Sequence, residues 1–244
     1  MANRTIQNAL DAIAREEFRD LADYDYVSAR VCFRLTLREQ FYWSGLQAVE
    51  KYLKAILLFN DQKIKDIGHH VAKAKSRISA NTGVPLFLDD DQLRLLDVFE
   101  EFGNNRYRTS YTRLLGDELP KLDKLVWTIR HYAHSTSLEI DGVDKSEWYL
   151  QNLLPPNPAD TPASDQISDG ELENILARNS TDMLRQGLVW CNRCYGQPEN
   201  ADEVSTIIHS SSYIPVYQRG WFLNGTVDRT ETLAEAVQKY VSFK

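Results

Sequence analysis

The chain is poor in the residues that would identify a chemistry outright. It has three cysteines and two methionines in 244 residues. One cysteine, Cys32, lies in an apolar helical run, so no disulfide framework is expected. No leader-like apolar run opens the chain, and a reducing cytoplasm is the expected setting. Long hydrophobic runs are missing as well. The longest near-continuous one, AILLF at residues 55–59, is far too short for a bilayer, so no membrane partner is expected. An excess of positive charge is missing too: 28 Lys and Arg stand against 35 Asp and Glu, a net charge of −7. That balance argues against a sequence-blind grip on nucleic acid phosphates, which needs a basic stripe, though it leaves room for a local basic pocket. Walker loops, GxSxG and HExxH are absent, which leaves kinase, serine hydrolase and zinc protease readings without a motif.

What is present is an ordinary globular composition, 43% hydrophobic and 26% charged, long enough to bury a real core. The charge is unevenly spread. Residues 1–140 carry 20 basic and 20 acidic residues, net zero, whereas residues 141–244 carry 8 and 15, which accounts for the −7. The chain therefore divides into a neutral part, 1–140, a proline-rich linker or extended loop within 141–168, and an acidic C-terminal extension, 169–244.

Helical periodicity dominates the first part. Apolar residues fall at helical spacing from Thr5 to Phe18, again from Tyr24 to Leu35, and most clearly over 38–59, where Phe41, Tyr42, Leu46, Val49, Leu53, Ile56 and Leu57 make one broad stripe. A short helix is expected near 69–79, a helix N-capped by Asp90 after it, and another from Pro120 to Ala133. No strand-like alternation occurs before residue 140, so this part reads as an antiparallel α-helical bundle. In the extension, a helical stretch from 169 to 194 with a break near Asn179 and Ser180 is expected. The β-branched and aromatic runs of 204–227 then suggest a small hairpin, and the Thr232–Glu235 capping pattern opens a last helix.

QAVEKYLKAILL at 47–58 resembles the signature helix of the HEPN domain family. YVSAR at 26–30, GHHV at 68–71 and the pair Arg106-Tyr107 resemble that family's further landmarks in the same order, over residues 20–135. The resemblance implies an antiparallel bundle that dimerises. It also implies one of two activities. Some members are metal-independent ribonucleases of toxin and defence systems, with an Arg, a polar residue and a His separated from the Arg by four to six residues. Others bind nucleotides or protein partners without catalysis, many beside a nucleotidyltransferase. A homodimer, a nucleotide or RNA, and a nucleotidyltransferase are thus the partners it implies.

The candidate residues follow. Arg130 and His134, in RHYAH, resemble the nuclease motif with only three residues between them. At i and i+4 both side chains reach one phosphate, with Arg130 stabilising charge and His134 moving protons. The same residues also suit a helix end, where basic groups compensate the dipole. Arg106, Tyr107, Arg108, Tyr111 and Arg113 are the chain's basic and aromatic cluster, fit for a phosphate and a stacked base or for packing. His69 either braces the helix that follows it or joins a nucleotide site. Cys191 and Cys194 form a CxxC that lacks two further ligands at zinc spacing, and aspartates 89–91 are a helix start, so no metal and no cofactor are expected. A non-catalytic HEPN-like binding module is the leading expectation. A HEPN ribonuclease and a purely protein-binding partner are the alternatives.

Overall fold

The computed structural model describes residues 2–103, 117–135, 139–140, 143–144 and 170–196. The chain opens with α1 (Ala2–Ile13), passes without interruption through a π-helical segment (Ala14–Arg19), and continues as α2 (Asp20–Arg34). The two separate helices expected here are one continuous rod. The wider π turn adds a residue and rotates the apolar stripe, so that a break in 3.6-residue periodicity marks a change of winding instead of a loop. Ala14 and Arg19 at the two ends of that segment are both buried.

After a tight corner at Thr36, whose φ is +58°, α3 (Arg38–Phe59) runs through the middle of the molecule. Its bounds coincide with those read from the apolar stripe. Phe41, Leu46, Val49, Tyr52, Leu53, Ile56 and Leu57 are wholly or almost wholly buried, and Ala48 and Ala55 extend the buried surface around the helix. A helix apolar on several sides needs several neighbours. Those neighbours are α2, the π segment, α4 (Val71–Asn81), α5 (Asp90–Gly103) and α6 (Glu118–His131). Each fully buried Leu, Ile or Phe contributes about 1.5–3 kcal/mol, so α3 is the main source of cohesion. At Gly45 the absence of a side chain lets the Phe99 ring of α5 lie directly on the α3 backbone, in an aromatic group with Phe41 and Tyr42.

The start of α5 differs from expectation by one residue. Asp89 Oδ1 accepts from the Gln92 amide at 2.9 Å while Gln92 Oε1 accepts from the Asp89 amide at 2.9 Å, a reciprocal capping box in which Asp89, not Asp90, is the cap. Two residue pairs, Glu139–Asp144 and Ile140–Val143, form a minimal antiparallel ladder, β1 (Glu139–Ile140) with β2 (Val143–Asp144).

Residues 170–196 pack onto the bundle. They form α7 (Glu171–Leu176) and α8 (Met183–Val189), and Leu172, Ile175, Leu188, Cys191 and Tyr195 enter the same core as α2 and α3. The break between them falls where Asn179 Oδ1 takes the Thr181 amide and hydroxyl, and Asp182 then caps α8 by accepting from the amides of Leu184 and Arg185. Gly187 allows α8 to touch α2, since a Cβ there would collide with Val31. The molecule is mainly α-helical. The expected hairpin and final helix of 204–241, and the proline-rich stretch 154–168, lie outside the described residues.

Candidate functional site

Two helices carry the same charge pattern in opposite directions. Asp23 and Arg30 are seven residues apart on α2, and Asp123 and Arg130 are seven apart on α6. Seven residues are close to two turns, so each pair shares a face. Because the helices are antiparallel, Arg130 meets Asp23 and Arg30 meets Asp123. All four residues are buried.

In the first pairing, Arg130 Nε donates to Asp23 Oδ1 and Nη2 to Oδ2, both at 2.8 Å. The outer edge of the same guanidinium donates to Glu173 of α7, Nη1 to Oε1 at 2.8 Å and Nη2 to Oε2 at 2.6 Å. Asp23 also accepts the Tyr52 hydroxyl and the Leu172 amide. Four of the five N–H donors of Arg130 are therefore committed to carboxylates. Burial disfavours the charged guanidinium, but the charge of Asp23 and the bonds to Glu173 and Asp23 outweigh it, and the group is held well above its ordinary value. Gly170 makes room for this contact, because a Cβ there would overlap both Arg130 and Glu173.

In the second pairing, Arg30 Nη1 and the Tyr26 hydroxyl both donate to Asp123 Oδ1. Two further donors of Arg30 go to backbone carbonyls, Nε to Gly187 and Nη2 to Trp190. Asn192 joins by donating to the Tyr26 hydroxyl at 2.9 Å. Burial raises the Asp123 carboxyl, and Arg30 and Tyr26 offset part of that. Both arginines thus tie residues 170–196 to the bundle.

His134 stands just past the end of α6. It is half-buried, and desolvation, reinforced by the nearby charges of His131 and Arg19, lowers it to about 4. At neutral pH it is an uncharged imidazole. The His131 and His134 rings lie 6.5 Å apart. Arg130, one turn earlier, is buried and faces Asp23 and Glu173.

His69 lies at the surface before α4, its Nδ1 3.0 Å from Oε2 of Glu50, a buried carboxylate that also holds Lys54 at 2.6 Å. His70 pairs in the same way with Glu100 of α5, at 3.1 Å. These contacts brace the start of α4. Arg106, Tyr107, Arg108, Tyr111 and Arg113 lie outside the described residues. In the CxxC, Asn192 Oδ1 accepts from the amides of Cys194 and Tyr195 and shapes a turn, and burial pushes the Cys194 thiol up, away from thiolate chemistry. Among the described residues no group of three or more His, Cys, Asp or Glu could hold a metal ion, and no helix is long and apolar enough to cross a membrane.

The partners of the arginines were missed in the sequence. The signal that could have found them is the repeated Asp-x6-Arg spacing on two helices. A comparison of the chain with protein-family models, with curated protein sequences and with solved structures finds no match in any of the three.

Proposed function

We propose that this chain is a HEPN-like binding module for a nucleotide, RNA or protein partner, and that it does not cleave RNA through Arg130 and His134. The observation that carries this reading is the commitment of Arg130. A group that stabilises a reacting phosphate must offer donors to it, and here the donors are taken by Asp23 and Glu173. The depressed basicity of His134 adds to this: a general base is most effective with a pKa near the operating pH, and an imidazole near 4 is a poor proton acceptor. The sequence resemblance brings a homodimer and a nucleotidyltransferase partner into the proposal, together with Arg106 to Arg113 as the nucleotide-contacting cluster.

The test has two parts. Thermal unfolding is followed with a panel of nucleotides, and a mixed RNA is incubated with the protein without added metal. A raised melting temperature with intact RNA is expected. A wholly unshifted melting temperature across the panel counts against nucleotide binding. Cleavage that disappears in a folded Arg130→Ala/His134→Ala variant overturns the non-catalytic reading.

A further inference from the structure

The two arginine clasps differ in one respect. Arg30 is matched by Asp123, and its outer donors go to the neutral carbonyls of Gly187 and Trp190. Arg130 is matched by Asp23, and its outer donors go to a second full carboxylate, Glu173. A fastening that only had to hold α7 in place could use carbonyls, as the Arg30 clasp does. A second anion gathered on a cation already neutralised brings like charges together in a buried place, which is a cost unless the geometry offsets it. The outer Nη1/Nη2 edge of Arg130 is thus a two-point seat for an oxyanion, and the matching fork of planar donors suits phosphate as well as carboxylate. Asp23 is wholly buried beneath the guanidinium, whereas the Glu173 side chain keeps 15% of its exposure at the rim. The inner carboxylate is fixed in the core, and the outer one sits where solvent reaches it. Glu173 is carried on a helix of only six residues. Such a helix has little stability of its own and depends on its contacts.

We propose that Glu173 is an internal occupant of an oxyanion-binding site centred on Arg130, and that a phosphate group of a nucleotide or RNA competes with it, lifting α7 from the end of α2 and α6. The proposal stands apart from nucleotide binding at Arg106 to Arg113, because it concerns a different place and is read with different variants. Glu171, on the same helix, bonds the Tyr24 hydroxyl at 2.8 Å and serves as the control.

Inorganic phosphate is titrated against the full chain and its Glu173→Ala, Glu173→Gln and Glu171→Gln variants at constant ionic strength, with chloride as the reference anion. Removal of the occupant should tighten phosphate binding by about tenfold in both Glu173 variants relative to the parent, with no gain in Glu171→Gln. Adenosine monophosphate and a short single-stranded RNA in the same titration separate the sources. A gain with phosphate and the monophosphate assigns a terminal phosphate, and a gain with RNA alone assigns a diester. Folded Glu173 variants that bind none of these anions more tightly than the parent overturn the proposal. Hydrogen exchange in the unmodified chain gives a second reading that does not need the variants to fold. Phosphate should speed exchange of the α7 amides, and α7 exchange that is equal in phosphate and chloride contradicts the competition.

Discussion

Asp23 and Arg130 are 107 residues apart in the chain and meet through two hydrogen bonds of 2.8 Å inside the bundle. Their relation is mirrored by Arg30 and Asp123, so that one antiparallel helix pair is closed by two reciprocal ion pairs. Each arginine then extends past its partner to hold a different part of residues 170–196. By these contacts the patch joins the N-terminal bundle to residues 170–196.

Removing either arginine should be costly. Arg130→Ala strands two carboxylates, of which Asp23 is wholly buried, and breaking such a pair from one side typically costs about 3–5 kcal/mol. Urea unfolding is the check, and a change in stability below about 0.5 kcal/mol, the range of an ordinary surface substitution, would contradict the assignment.

His134 makes stability depend on pH in a defined direction. Its folded value, about 4, lies below the ordinary 6.5, so the unfolded chain binds the proton more readily between those values. The contribution is fully present above pH 6.5 and is lost as pH falls towards 4, by at most roughly 3 kcal/mol. Other groups titrate in the same window, so the comparison is between the protein and a His134→Leu variant. The variant's stability should fall less steeply from pH 6.5 to 4, and parallel curves would rule out the effect.

Gly45 should not tolerate alanine, although alanine is the better helix former by about 1 kcal/mol. The added Cβ would stand 2.7 Å from Cζ and 2.9 Å from Cε1 of Phe99, and overpacking of this kind costs about 1–3 kcal/mol. Gly45→Ala is expected to lower the melting temperature, and the Phe99→Leu change to cost less in that background than alone. A stabilised Gly45→Ala would show that the ring is not where it is described.

The Asp182 cap offers a local test of the C-terminal segment. Its side chain accepts from two amides at the start of α8, each at 3.0 Å, and loss of such a cap costs about 1 kcal/mol. Asp182→Ala should raise hydrogen exchange in α8 while leaving α3 protected. Equal acceleration in both would mean that α8 does not open separately from the bundle.

How much of this was legible in the sequence depends on the kind of signal. The bounds of α3 could be read because its apolar stripe is long and ends in polar residues on both sides. The break between α7 and α8 was visible for a local reason, since Asn179 and Asp182 are residues whose side chains compete for backbone amides. The π segment is not visible there: a change of winding looks like lost periodicity, so the apolar pattern divides the rod from Ala2 to Arg34 in two. The ion pairs were not visible either. Pattern reading places charged residues on the outer face, whereas Asp23, Arg30, Asp123 and Arg130 are all inside. Only their spacing on two helices, together with the helices' opposite directions, reveals why they can be buried. In the candidate site, the Arg130–His134 spacing was read from the chain, but what Arg130 touches is a tertiary fact contributed by residues 23 and 173.

The measurement that tests the account most directly is nitrogen-detected NMR of the Arg130 guanidinium, assigned by comparison with Arg130→Lys. Carboxylates on both edges should block rotation of the group, giving separate Nη1 and Nη2 signals in the free protein and a slowly exchanging Nε proton, which stays bonded to Asp23 when RNA is added. Averaged Nη signals in the free protein together with a rapidly exchanging Nε proton would show a guanidinium not held by Asp23, and would contradict the claim that Arg130 belongs to the fold.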